Sequence, residues 1–148
     1  MYEGGCLCGA LRFRADERPI DAGYCHCTLC RRSTGAPVLA WASFPATAFT
    51  YTNGSAAIFE SSAWGHREFC NLCGTQIGYR KSDGATTVDL NVGCMDDPSA
   101  FPPQYHVYSK DRIGWFDTAD DLPRHPGSEP GADEPGAGEP GADEPGAG

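Results

Sequence analysis

Seven of the eight cysteines in this 148-residue chain fall into three groups: Cys6-Leu7-Cys8, Cys25-His26-Cys27-Thr28-Leu29-Cys30, and Cys70-Asn71-Leu72-Cys73 followed by Gly74. Thiolates at such spacings are metal ligands. In an extended segment, residues i and i+2 project to one face, so a C-x-C presents two sulfurs side by side. A C-x-x-C-Gly loop aims two sulfurs at one point, and its glycine permits positive φ. Cys6, Cys8, Cys70 and Cys73 together supply the four ligands of a closed, structural zinc site. Binding free energy then becomes folding free energy, because the metal ties the start of the chain to its middle.

Cys25, Cys27 and Cys30 offer three ligands from one loop with no fourth cysteine beside them, which is the pattern of a catalytic zinc with an open position. The alternatives are a second structural site closed by Cys94 or a histidine, an iron–sulfur cluster, or a disulfide framework. Thiolates favour zinc over magnesium or calcium. Zn²⁺ with three thiolates carries a formal charge of −1, so it is a weaker Lewis acid than a three-histidine zinc. Such a site suits an incoming thiol, whose proton the metal displaces, better than it suits water. Thiol chemistry on a small electrophile is therefore expected, with Cys25, Cys27 and Cys30 as the catalytic set.

The elements that must hold these cysteines are short and mostly alternating. Strand-length segments occur at 10–14, 38–44, 57–60, 76–80, 87–92 and 105–108. No helical periodicity lasts three turns, and one helical turn is expected near Pro98–Phe101. Asn53-Gly54 and Asp83-Gly84 are the best hairpin turns. His26 is placed on a strand, facing away from the ligand cysteines, and His66 and His106 take structural or exposed roles. Trp41, Phe44, Phe59 and Tyr79 are assigned to the core, and Cys94 reads as a small buried apolar residue. Arg31 and Arg32 are equally candidates for gripping ligand carboxylates and for solvated surface charge.

The formal net charge is −9. Six of the acids sit with no base in residues 129–148, which repeat EPGAD and EPGAG. Without them 14 acids face 11 bases, a net of −3 over residues 1–128. Nothing there recommends nucleic acid or an anionic membrane as partner. A Pro/Gly repeat without large apolar side chains cannot offset its ordering entropy, so the organisation expected is a folded domain over 1–122 and a disordered acidic tail over 123–148. The first residues, Met1-Tyr2-Glu3-Gly4-Gly5, lack the basic and apolar regions of a signal peptide, which with the cysteine usage points to the cytoplasm.

Four stretches resemble, in order, the motifs of the glutathione-dependent formaldehyde-activating enzyme family. They are Gly5-Cys6-Leu7-Cys8-Gly9 with Leu11-Arg12-Phe13; Cys25 through Ala36; Phe69-Cys70-Asn71-Leu72-Cys73-Gly74-Thr75; and Val92-Gly93 with Asp96-Asp97-Pro98. Trp115 stands where such domains often end, and the likeness covers about residues 4–116. The resemblance implies a mainly β fold of several small twisted antiparallel sheets around a zinc site, Mss4-like. It implies a structural zinc on Cys6, Cys8, Cys70 and Cys73 and a catalytic zinc on Cys25, Cys27 and Cys30. It also implies a carbon–sulfur lyase or synthase that joins glutathione to formaldehyde. The competing reading is a non-enzymatic, zinc-stabilised interaction module.

Overall fold

The computed structural model describes residues 1–82 and 84–130. The protein is mainly β, and the described residues form ten strands in two sheets and one short α-helix. A three-stranded antiparallel sheet joins β1 (Tyr2–Gly5), β2 (Arg12–Ala15) and β5 (Phe49–Asn53) in the order β1-β2-β5. The second sheet contains β3 (Asp21–Cys25), β4 (Leu39–Pro45), β6 (Ala57–Ser62), β7 (Gly65–Phe69), β8 (Gln76–Lys81), β9 (Thr87–Asn91) and β10 (His106–Val107). Its order is β10-β3-β4-β9-β8-β7-β6. All its pairs are antiparallel, as expected, except β10 with β3 at one edge, which is parallel. No helix among the described residues is long and apolar enough to cross a membrane.

The alternation read from the sequence marks β2, β4, β6, β8, β9 and β10. Strands β1, β3 and β7 carry weaker patterns, because Gly4, Gly5, Gly23 and Gly65 interrupt them and His66, Arg67 and Glu68 make β7 look like surface, while β5, Phe49–Asn53, alternates yet is not among the expected segments. Arg67 and Glu68 are in fact buried, at 7% and 6% exposure. Glu68 accepts hydrogen bonds from the Tyr51 hydroxyl at 2.7 Å and from Arg80 Nε at 2.6 Å. Tyr51 belongs to the small sheet and Glu68 and Arg80 to the large one, so this satisfied polar cluster fastens the two sheets together. The main core fills the space between them with Leu11, Phe13, Phe44, Ile77, Val88 and Leu90, all at 2% exposure or less.

Asn53-Gly54 does not make a hairpin. It ends β5, which pairs with β2, and leads to β6, which pairs with β7, so the turn carries the chain from one sheet to the other. Gly54 has φ +74°, and a Cβ there would lie 2.4 Å from the Ala10 carbonyl oxygen. The second candidate turn does join antiparallel neighbours, β8 and β9, although Asp83 itself lies outside the described residues. The turn near Pro98–Phe101 is present as a 3-10 turn over Pro98–Ala100. Phe44 is fully buried as expected, but Phe59 is 62% exposed on the edge strand.

The chain past residue 122 still packs on the domain. His106 N donates to the Pro123 carbonyl at 2.8 Å, His125 N to the His106 carbonyl at 2.9 Å, and Tyr108 N to the Gly127 carbonyl at 2.8 Å. Backbone bonds to the domain thus continue past residue 122 as far as Gly127, and the tail from residue 131 onward lies outside the described residues.

Replacing Gly54 by alanine combines an αL penalty with a backbone clash. Gly35→Ala imposes only the former, because Gly35 has φ +70° and nothing lies within 4 Å of the place its new methyl would occupy. Thermal melts of metal-loaded protein should show a loss of about 1 kcal/mol for Gly35→Ala and about 3 kcal/mol or more for Gly54→Ala. Equal losses would mean that the 54 turn relaxes freely.

Candidate metal centres

All eight cysteines are free thiols. The first group is built by two turns of the same design. After β1, Cys6 N donates to the Leu11 carbonyl, Gly9 N to the Cys6 carbonyl, and Leu11 N to Cys6 Sγ at 3.2 Å. After β7, Cys70 N donates to the Thr75 carbonyl, Gly74 N to the Cys70 carbonyl, and Leu72 N to Cys70 Sγ at 3.4 Å. Gly9 and Gly74 have φ +84° and +81°, which is why a glycine closes each turn. A further bond from Leu7 N to Thr75 Oγ1, 3.0 Å, locks the two turns face to face.

The sulfurs of Cys6, Cys8, Cys70 and Cys73 all lie within 4.8 Å of one another, with Cys6–Cys8 at 3.6 Å and Cys8–Cys70 at 3.8 Å. A disulfide would need about 2.05 Å. Zinc–sulfur bonds of about 2.3 Å in a tetrahedron set sulfurs about 3.8 Å apart. The donor set thus fits a four-coordinate soft metal, with backbone N–H groups already aimed at two of the sulfurs. The Thr75 hydroxyl and backbone hold Cys73 down to about 5, so that thiol is disposed to ligate as thiolate.

The second group differs in its setting. Cys25 ends β3, pinned between Leu39 of β4 and Val107 of β10. Cys27 caps α1 (Thr28–Thr34), its sulfur accepting from Cys30 N at 3.3 Å, and Gly35 closes the helix in the αL conformation. The motif therefore runs from strand to helix, and the strand expected across it ends at Cys25. The three sulfurs still converge within 4.8 Å, and no further cysteine, histidine or carboxylate among the described residues joins them. Cys94, the candidate fourth ligand, instead donates to the Gln76 carbonyl at 3.0 Å and packs against the main core beside the first group.

This group floors a cavity of about 650 Å³ whose walls include Leu39, Trp41, Arg67, Tyr79, Asp89 and Tyr108. Trp41 and Tyr79, assigned to the core from sequence, thus line it. Both Arg67 Nη atoms lie 3.8 Å from Cys30 Sγ, and the guanidinium stands over the Tyr79 ring at 5.2 Å. Hydrogen bonds from Cys25 and Cys27, with the Arg67 charge behind them, pull the Cys30 thiol well below the ordinary cysteine range. The same sharing pushes Cys25 well above it, with burial adding to the rise. Tyr108 is the one non-glycine residue at positive φ among the described residues, +53°, the kind of strain that accumulates at working sites.

His26 is not a surface residue. Burial, then the neighbouring His106, lowers it to about 4, so it is neutral. Its Nε2 lies 2.8 Å from Nδ1 of the fully buried His106, whose Nε2 meets Asp120 Oδ1 at 3.3 Å. A carboxylate only accepts, so His106 donates from Nε2, and His26 Nδ1 has no hydrogen-bond partner. This chain braces the cysteine loop against the segment around residue 120. Arg31 is also spent on the loop, its Nε donating to the His26 carbonyl at 3.3 Å, and Arg32 lines a separate cavity of about 380 Å³. The guanidinium at the cysteines is Arg67, which sequence reading missed: an Arg in a polar strand segment carries no signal of burial.

A family model described as glutathione-dependent formaldehyde-activating enzyme matches residues 1–111, which include both cysteine groups. The chain is 31% identical over 98 residues to an uncharacterized lyase of Schizosaccharomyces pombe, covering 62% of this chain and 66% of that protein, slightly under two thirds of its length. It is 23% identical over 126 residues to a Halomonas elongata protein that bears a provisional name as a glutathione-dependent formaldehyde-activating enzyme, covering 79% and 80% of the two chains. A crystal structure of a Rhodobacter sphaeroides protein shares the fold, with a TM-score of 0.54 at 22% identity over 64% of this chain and 87% of that one. Fold, paired cysteine turns and matched span agree, and the chain belongs to the glutathione-dependent formaldehyde-activating enzyme family.

Proposed function

We propose that the protein is a zinc-dependent carbon–sulfur lyase or synthase that joins a thiol, glutathione first among candidates, to a small aldehyde such as formaldehyde. The observation that carries this reading is a group of three converging sulfurs, without a fourth protein donor among the described residues, on the floor of a cavity of about 650 Å³. Cys6, Cys8, Cys70 and Cys73 would hold a structural zinc and Cys25, Cys27 and Cys30 a catalytic one. Zinc bound to the three cysteines would favour a sulfur ligand and lower the pKa of an incoming thiol.

The chain's own residues do the rest. Arg67 supplies a fixed positive charge beside Cys30, where negative charge gathers as thiols ionise. Its burial removes the screening that would weaken that charge in water. Leu29, Leu39 and Trp41 give the cavity an apolar side that limits water around the reacting sulfur. The interaction-module reading needs a fourth protein ligand at the second group, and the position of Cys94 beside the first group favours the enzyme instead.

Reduced protein should carry two zincs per chain by elemental analysis. Cys27→Ala should keep the fold, retain about one zinc and lose glutathione–formaldehyde turnover, whereas Cys73→Ala should lower the melting temperature sharply. Full turnover in Cys27→Ala would sink the proposal. Arg67→Met should weaken glutathione binding about tenfold or more, measured by titration calorimetry on the zinc-loaded protein. An unchanged affinity would leave Arg67 with packing alone.

A further inference from the structure

Asp89 stands on the wall of the same cavity, and the thiol chemistry above leaves it without a task. It lies in the middle of β9, with Ser43 of β4 and Tyr79 of β8 as its cross-strand partners. The Ser43 hydroxyl donates to Asp89 Oδ1 at 2.7 Å, which fixes the carboxyl's orientation. Two other carboxyls line the cavity, and both belong to its periphery. Asp21, at the start of β3, accepts from the Tyr105 hydroxyl at 2.7 Å, and Glu129, past the last strand, accepts from the Ser128 hydroxyl at 3.1 Å. Asp89 alone comes from a central strand of the sheet.

Joining a thiol to an aldehyde has a proton requirement that cysteines cannot meet once they hold a metal. The carbon–sulfur bond forms as sulfur attacks the carbonyl carbon, and the carbonyl π pair moves onto oxygen. The thiol loses one proton and the new hydroxyl gains one, so the reaction is balanced without oxidant or reductant. We propose that Asp89 is the catalytic acid that protonates the aldehyde oxygen, and that in the reverse direction its carboxylate takes the proton from the adduct hydroxyl. This assignment rests on the thiol–aldehyde reading. The proton released by the thiol restores the acid through the cavity water.

Burial supports the assignment, pushing the Asp89 carboxyl up to about 7 against the opposing pull of the Ser43 bond. The charged and titratable groups around it are Tyr79 and Lys81 from β8, Asp21 from β3, Glu129 from the C-terminal segment, and Arg67 and Cys30 across the cavity. Asp21 and Glu129 disfavour a further negative charge nearby and so help to keep the proton on Asp89. A donor must be protonated, so the addition rate should fall as pH rises through about 7. Ser43→Ala removes a bond that favours the charged form, so it should move that fall to higher pH.

The test follows adduct formation from glutathione and ¹³C-formaldehyde by NMR exchange across pH 5–9, with cobalt-substituted protein reporting glutathione binding through its sulfur charge-transfer band. Asp89→Asn should lower kcat about 100-fold and abolish the fall above neutral pH, with metal content and glutathione affinity unchanged. Ser43→Ala should lower kcat at pH 6 by less than Asp89→Asn does, because the carboxyl loses only its orienting bond, and should shift the inflection upward. An Asp89→Asn enzyme with the wild-type rate and profile overturns the role, as does an inflection that Ser43→Ala leaves in place. A wild-type protein that forms no adduct at any pH overturns the thiol–aldehyde reading itself, and the role of Asp89 with it.

Discussion

Sulfur crowding governs this molecule. Seven thiols are held in two groups in which every sulfur lies within 4.8 Å of the others in its group. At such distances neighbouring thiolates repel, and without a cation only some can ionise, as the opposite displacements of Cys25 and Cys30 show. A dication removes that conflict and lets every member of a group become a ligand. The backbone invests heavily in bringing the sulfurs together: two glycines at positive φ, N–H groups directed at Cys6 and Cys70, and a helix capped by Cys27. None of these features gains much from apolar burial alone, and the local structure is compatible with metal binding.

The two groups share donors but differ in what surrounds them. The first lies where the turn after β1 meets the turn after β7, and so joins the small sheet to the large one. It has four sulfurs and a threonine that binds both turns. The second lies at the end of β3 against the short parallel strand β10, with a cavity over it and Arg67 beside it. The first arrangement suits tying the fold, and the second suits admitting a further ligand. Bracing by Asp120, His106 and His26 gives the second group a rigid backing from a distant part of the chain.

Cysteine spacing made both groups legible in the sequence, because C-x-C and C-x-x-C restrict geometry within a few residues. The six strands with strong alternation were legible for the same reason. What sequence reading could not reach depended on residues distant along the chain. The strand-to-helix change after Cys25 arises because Cys27 caps the helix with sulfur, a residue that propensity does not credit as a cap. His26 is buried because β10 brings His106 to it from eighty positions away. Arg67 and Glu68 look like surface charges until their partners Cys30, Tyr51 and Arg80 are assembled around them. The parallel pairing of β10 with β3 and the packing of Pro123–Gly127 likewise depend on partners distant along the chain, which no local pattern names.

The charges around the cavity also explain why a carboxylic acid and a metal-binding thiolate set can share one space. Three thiolates around a dication would carry a formal −1, which the guanidinium of Arg67 would offset. A fourth thiolate restores the deficit, and ionised Asp21, Asp89 and Glu129 would deepen it in a space where burial strengthens each repulsion. Keeping the proton on Asp89 would be the response that costs least, since burial there outweighs the pull of the Ser43 bond. Under the proposed reaction, the arrival of an anionic sulfur and the retention of an acidic proton would be coupled. Each added negative charge at the cysteines would favour the protonated form of Asp89, and delivery of its proton to a carbonyl oxygen would leave a carboxylate in a cavity that disfavours it. That disfavour would drive reprotonation and reset the site.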